Sequence, residues 1–247
     1  MELPDPAALD RLADRGWPAL EREPLQGWML RASAGVTNRA NSVLTSGEVE
    51  DVAAAVADAE RWYAARSLPA VFQTSPASPA PLPGVLAARG YREHSVTDIL
   101  VADRAGVADG WAEAADVRLA DSPSDAWLGT WWSVDSRGGT ADREVALRIL
   151  TGGPALYTSH GDPSAPDAVA RLAVVGEWGG LYAVATRPEA RRRGLARDLA
   201  RTLAHAASAH GVIALWLQVV AGNAPAHALY AALGFRRASG YSYWSPS

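Results

Sequence analysis

Two stretches of the chain, "LAARGYRE" (86–93) and "YAALGFRR" (230–237), align so that Gly90 falls on Gly234, Tyr91 on Phe235 and Arg92 on Arg236. Each closes the same succession: helix, strand, short helix, glycine–aromatic pair, strand. A glycine placed just after a helical run ends it in the left-handed conformation, and the aromatic that follows opens the next strand. A chain that repeats this order reads as an α/β (α+β) fold of two related copies, each a mixed central sheet flanked by helices, a chance match between alanine-rich segments being the alternative. The copies differ where chemistry would sit. Leu86 stands where the second copy has Tyr230, and the first copy lacks the Arg-x-x-Gly-x-Ala run found at 191–196.

A length of 247 residues accommodates two domains. The small, polar, weakly periodic stretch 102–116 puts the boundary there, giving a first domain over 1–105 and a second over 115–247. In the second, strands are expected at 115–120, 154–160, 167–175, 180–186 and 212–220, with a Gly-Glu-Trp-Gly turn between the third and fourth. Helices are expected at 123–133, 140–150 and 224–233. Between Gly194 and Gly211, Leu195, Leu199 and Leu203 recur at i, i+4 and i+8, the stripe of an amphipathic helix. The first domain carries a helix over 47–67 with its start at Ser46–Val49, a strand at 69–75, a short helix at 83–90 and a strand at 91–103.

The formal net charge of −4 offers no field for a nucleic-acid backbone. All basic residues are arginine. Cysteine is absent, which excludes disulfides and thiolate chemistry, and the histidines lack metal-ligand spacing, so no metal is expected. Glu2 and Asp5 stand where a signal peptide carries positive charge, and no apolar run reaches the length of a membrane span. The expectation is a cytoplasmic protein without membrane or nucleic-acid partners.

Against that acidic background, "RPEARRRGLARDLA" (187–200) sets three arginines and a glycine between a strand and a helix. A turn of this kind aims unpaired backbone N–H groups and the positive end of the helix dipole at one point, which suits a phosphate. Gly194 would let a ligand approach the backbone, Ala196 keeps the first turn slim, and Arg191, Arg192 and Arg193 add charge. A solvated arginine patch is the other reading of the hexamer alone.

At this point the sequence resembles the GNAT (GCN5-related) superfamily of acyl-CoA-dependent N-acyltransferases, whose motif Gln/Arg-x-x-Gly-x-Gly/Ala is filled by Arg191, Gly194 and Ala196. A second motif is met by Asn223, Ala226, Leu229, Tyr230, Gly234 and Phe235. The resemblance covers 115–247 strongly and the first half in outline. It is also similar to a two-lobed actinobacterial group, some of whose members are associated with N-acetylglutamate synthesis. It implies a second domain competent for acetyl-CoA and a first that is degenerate.

The roles implied follow the motif. The backbone of Val184, Ala185 and Thr186 would pair with the pantetheine amides of acetyl-CoA, and Arg191 to Ala196, Leu195 included, would hold the pyrophosphate. Asn223 would bind the pantetheine arm, or simply form a turn. Tyr230 would protonate or hydrogen-bond the leaving thiolate, or serve as a plain core tyrosine. Many members carry a glutamate base where this chain has Gly180; Glu177 lies near but on the opposite strand parity, and ordered water is the alternative base. On the acceptor side Trp131 and Tyr182 could wall a pocket, with core packing as the competing reading for the tryptophans. Arg39 and Asn41, in "TNRANS" (37–42), could hold an acceptor carboxylate, or form a surface turn. The expected activity is direct acetyl transfer to a small-molecule primary amine, an amino acid such as glutamate among them. A non-catalytic acyl-CoA-binding module and a protein or antibiotic N-acetyltransferase are the alternatives.

Overall fold

The computed structural model describes residues 3–135 and 138–247; Glu2, used above against a signal peptide, lies outside them. The chain forms two compact units. The C-terminal unit holds Leu100–Val219 and Asn223–Arg236, and the N-terminal unit holds the residues up to Ile99 together with Val220–Gly222 and Arg237–Ser247. No helix among the described residues is long and apolar enough to cross a membrane.

In the N-terminal unit, α1 (Pro6–Gly16) precedes a hairpin of β1 (Glu21–Leu25) and β2 (Trp28–Ala32), then β3 (Val43–Leu44), α2 (Val52–Ala64), β4 (Phe72–Thr74), α3 (Leu82–Ala88) and β5 (Tyr91–Asp103). The last strand of the chain, β11 (Arg236–Pro246), inserts here, giving the order β1-β2-β3-β4-β11-β5. It runs antiparallel to β4, with Ser242 opposite Thr74 and Trp244 opposite Phe72. This corrects the expected domain limits: 237–247 complete the N-terminal sheet, because the exposed edge of β4 must find a partner for its backbone groups. The core gathers Trp28, Val56, Tyr63, Phe72, Leu82, Leu86 and Tyr91.

In the C-terminal unit α4 (Arg104–Ala108) leads to β6 (Val117–Ala120), α5 (Asp125–Asp135), α6 (Thr140–Leu150), β7 (Ala155–His160), β8 (Ala168–Val175), β9 (Trp178–Thr186), α7 (Leu195–Ala206), β10 (Ala214–Val220) and α8 (Ala224–Ala232). The strand order is β10-β9-β8-β7-β6, with β9 and β10 parallel and the rest antiparallel. The stretch read as a linker is partly built: Asp103 caps α4 by accepting from the N–H of Gly106 at 3.0 Å, and Val107 is buried. Leu195, Leu199 and Leu203 of α7 are all buried, in one cluster with residues of β8, β9 and β10, as their spacing requires. The helix of the N-terminal unit starts later than expected, at Val52, where the Asp51 carboxylate accepts from Ala53 and Ala54 N–H.

The repeated segments superpose in backbone as well as in sequence. α3 ends at Arg89 (φ −93°, ψ 6°) and α8 at Leu233 (φ −92°, ψ 6°), each followed by a left-handed glycine, Gly90 at φ +83° and Gly234 at φ +84°. Tyr91 and Phe235 are both buried.

The N-terminal unit also encloses a polar network. Arg31, 2% exposed, donates to Asp14 Oδ1 (3.3 Å), Ser42 Oγ (2.7 Å), Gln73 Oε1 (2.8 Å) and the Ser42 carbonyl (2.9 Å). Asp10, one helical turn before Asp14, accepts from the hydroxyls of Ser46 and Ser75 on one oxygen; its other oxygen is buried without a partner among the described residues. Burial pushes the Asp10 carboxyl above the usual carboxylate range, outweighing the two hydroxyls and Arg31. Folding therefore favours its protonated form, so the stability it allows is fully present below the unfolded value and is lost as pH rises through the folded one. Asp10→Asn is expected to raise the melting temperature at pH 7.5, with the gain shrinking as pH falls towards 4; calorimetric melting across pH checks this.

Candidate active site

β9 carries the site. It follows β8 through a two-residue turn, Gly176–Glu177, with Val175 opposite Trp178. The expected four-residue turn is thus shorter, and Trp178 and Gly179 are already strand. Along its other edge β9 pairs with β10 from Trp178–Ala214 to Leu181–Leu217 and no further. Just beyond, the β8–β9 register slips: Arg171 faces Tyr182 and Val169 faces Ala185, so Ala183 and Val184 together face Ala170. Ala183 sits at φ +50°. This bulge turns the strand and raises its twist, and the edges of β9 and β10 diverge as a fork. Val184, Ala185 and Thr186 lie on the open edge, with Ala185 and Thr186 paired to β8 on the other side.

Below the fork the strands are locked. A Cβ on Gly180 would come within 2.3 Å of the Trp216 ring and 2.7 Å of Tyr182, and one on Gly179 within 2.7 Å of Leu215. Trp216, with no exposed surface, lies across Gly180 and donates its indole N–H to Tyr182 Oη at 3.2 Å. The space a strand glutamate would use is filled by indole. Trp131 and Tyr182, read as pocket walls, are 3% and 4% exposed: they pack rather than line an open surface. Trp127 is similarly fixed, its indole N–H bonded to the Thr158 carbonyl at 2.8 Å.

Glu177 does not join the site. It is exposed in the turn at the start of β9, the end remote from Gly194, and Gly179 and Gly180 pair in regular register without the bulge that would have redirected it. Its carbonyl instead accepts from Ile213 and Ala214 N–H.

At the far end of β9 the chain passes through Pro188–Ala190 into the arginine turn. Arg192 (φ +67°) and Gly194 (φ +84°) both take the left-handed region, and Gly194 caps α7. Glycine is needed there for its backbone angle, since a Cβ would meet only side-chain ends, Arg197 at 3.1 Å and Asp198 at 3.8 Å. Among the described residues, the N–H groups of Arg192, Arg193, Gly194, Leu195 and Ala196 donate to no protein group, whereas Arg191 N–H is used by Pro188. Alternating backbone hands of this kind form an anion-binding nest. The three arginines are exposed; Arg191 Nε donates to the Thr186 carbonyl at 3.3 Å and Arg193 pairs with Asp167 at 3.1 Å.

Asn223 is the α8 N-cap, its Oδ1 accepting from Ala226 N–H at 3.2 Å. Tyr230, on the same helix, is buried with Leu195, Leu199, Leu217 and Val219, and its ring meets Phe235 edge-on at 5.6 Å. Burial pushes its phenol above the usual tyrosine value, so the hydroxyl keeps its proton through neutral pH.

In the N-terminal unit Asn41 is spent on the fold. It is 6% exposed, accepts from Ser33 and Gly35 N–H (2.7 and 2.8 Å) and donates to the Val36 and Thr37 carbonyls (2.6 and 2.9 Å). No capacity remains for a ligand. The Arg39 guanidinium lies over Trp17 at 5.6 Å. That unit's parallel pair, β3 and β4, stays closed: Val43 and Leu44 pair with Phe72 and Gln73, and Thr45 Oγ1 donates to the Gln73 carbonyl at 2.8 Å. No fork forms there. Among the described residues no group of three or more His, Cys, Asp or Glu side chains converges.

A forked parallel pair, a nested turn after its first strand and a buried tyrosine on the helix after its second define the GNAT class, and the chain is an N-acyltransferase of that class. The family described as "Probable histone acetyltransferase Rv0428c C-terminal" matches residues 6–244, and the chain belongs to it. It is 28% identical over 240 residues to "Uncharacterized N-acetyltransferase YobR" of Bacillus subtilis, covering 95% of this chain and 96% of that one. A GCN5-related N-acetyltransferase from Kribbella flavida shares the fold with a TM-score of 0.74 at 14% identity, over 99% of this chain and 96% of that one. A tandem GNAT protein from the clavulanic acid biosynthesis pathway does so at 0.66 and 15% identity, over 96% and 86%.

Inserting a methyl group under Trp216 should strain the locked strands. Gly180→Ala is expected to cost roughly 1–3 kcal/mol, read as a lower urea midpoint for the transition that reports the C-terminal unit.

Proposed function

We propose that the C-terminal unit binds acetyl-CoA in the β9–β10 fork and transfers its acetyl group directly to a small-molecule primary amine. The observation that carries this reading is the open fork running into a turn whose five N–H groups find no acceptor among the described residues. The open edge at Val184–Thr186 suits an extended amide chain, and the nest at Arg192–Ala196 suits a pyrophosphate. When bound, acetyl-CoA supplies the acyl group: a C–N bond forms as the C–S bond breaks, the amine gives up one proton and the thiolate takes one. Tyr230 holds a proton for that thiolate in a setting that keeps it on the phenol. None of the residues of β8, β9 or β10 is acidic, so the amine's proton leaves through water rather than to a strand carboxylate. An amino acid such as glutamate is one such amine.

A protein acceptor is the second reading, favoured by the description of the family as a probable histone acetyltransferase. The chain has no lysine, so label from acetyl-CoA appearing on lysines in a lysate cannot be self-acetylation. Labelled proteins outcompeting a panel of small amines would displace the small-molecule reading.

Tyr230→Phe is expected to lower kcat about 10- to 1,000-fold with the acetyl-CoA dissociation constant unchanged by calorimetry. In the native enzyme kcat should show no loss below pH about 10, the ordinary tyrosine value, because burial moves this phenol upward. Gly194→Glu should abolish acetyl-CoA binding in a folded protein by placing a carboxylate at the nest. Retained binding in that variant, or coenzyme A binding without turnover of any amine, would overturn the assignment, the latter in favour of a non-catalytic module.

A further inference from the structure

We propose that Gln218 holds the acceptor amine, its side-chain carbonyl accepting a hydrogen bond from the nitrogen that is acylated. This rests on the transfer reading above and names the group that orients its second substrate. Gln218 is the first residue of β10 past the last β9 partner, Leu217. Strand alternation sends Leu215, Leu217 and Val219 into the core shared with α7 and puts Gln218 on the opposite face, with Trp216. Trp216 meets Tyr182 there, edge to face at 6.1 Å. The amide therefore stands at the crotch of the fork, directly beyond the indole that fills the place of a strand carboxylate.

Its oxygen is out of reach of solvent and accepts no hydrogen bond among the described residues. A buried acceptor left empty costs stability, and such costs gather where a fold is arranged for a ligand. The indole beside it is already matched, since Trp216 Nε1 donates to Tyr182 Oη. An amine N–H is a donor that this oxygen can accept from. A neutral amide also discriminates. Unlike a carboxylate it gives little preference to an ammonium, so it suits nitrogens that are largely neutral near pH 8. The α-amino group of a short peptide, with a pKa of about 7.7–8.0, meets that condition, and a lysine-type ε-amine at about 10.4 does not. The acceptor class is thus an amine of low basicity, such as a peptide α-amine.

The test uses the full chain with Gln218→Met, which keeps the side chain's length and removes the amide, and Gln218→Glu, which keeps an acceptor oxygen. For the best amine of an amino-acid and polyamine panel, Gln218→Met should lower kcat/KM about 10- to 100-fold. The acetyl-CoA dissociation constant should stay unchanged by calorimetry, and the melting temperature should rise because the empty acceptor is gone. Gln218→Glu should retain turnover, and the α-amine of an added dipeptide should exceed ε-amines in the native enzyme. Native kcat/KM in Gln218→Met, or a loss accompanied by weaker acetyl-CoA binding and a lower melting temperature, would show that Gln218 is structural and overturn the inference while leaving the transferase reading intact. A native enzyme that binds acetyl-CoA and turns over no amine ends both.

Discussion

The pairing of β9 with β10 ends at Leu181 and Leu217, and the C-terminal unit is organised around that ending. A parallel pair inside a sheet satisfies its backbone groups along its whole length unless something turns one strand away. Here the extra residue at Ala183 does so, while the Trp216 ring clamped over Gly180 keeps the lower part shut. The fork is therefore an arrested separation, held open on one side by a bulge and stopped on the other by an indole. Everything placed at it, the nested turn, the α8 cap and Tyr230, comes from the connections that leave these two strands.

The N-terminal unit shows what the same plan does without that interruption. β3 and β4 remain paired, a threonine hydroxyl bonds across them at their end, and Leu86 occupies the tyrosine's place in the short helix. Its interior is spent instead on a polar network in which a buried arginine is met by a carboxylate, a hydroxyl, an amide and a carbonyl. Such a network favours one arrangement over its neighbours, since each partial alternative leaves a charge unmatched.

What could be read from the sequence follows the strength of its periodicity. The limits of β5, the α7 stripe and the glycine-ended short helices were all legible, because alternation and capping residues agree there. β1 was not: four of its five residues are exposed and include two glutamates and an arginine, so no apolar face announces it, although Gln26–Gly27 ahead of Trp28 is a hairpin signal. β3 is two residues long and has no pattern to show. An asparagine in a polar loop reads alike whether it binds a ligand or ties the loop, which is why Asn41 looked available. The bulge at Ala183 has no marker, an alanine being an unusual choice for positive φ. Consecutive glycines at 179 and 180 with a tryptophan on a later strand were the one visible trace of the clamp.

The membership of Arg237–Ser247 in the N-terminal unit bears on how the molecule comes into being. A ribosome delivers the first unit's residues early, but β4 lacks its neighbour until the final strand has been made. Folding of that unit therefore cannot proceed in the order of synthesis. The C-terminal unit, whose strands are contiguous but for the end of β5, is free to consolidate first, and the nascent N-terminal sheet waits with an unpaired edge for the last segment to reach it.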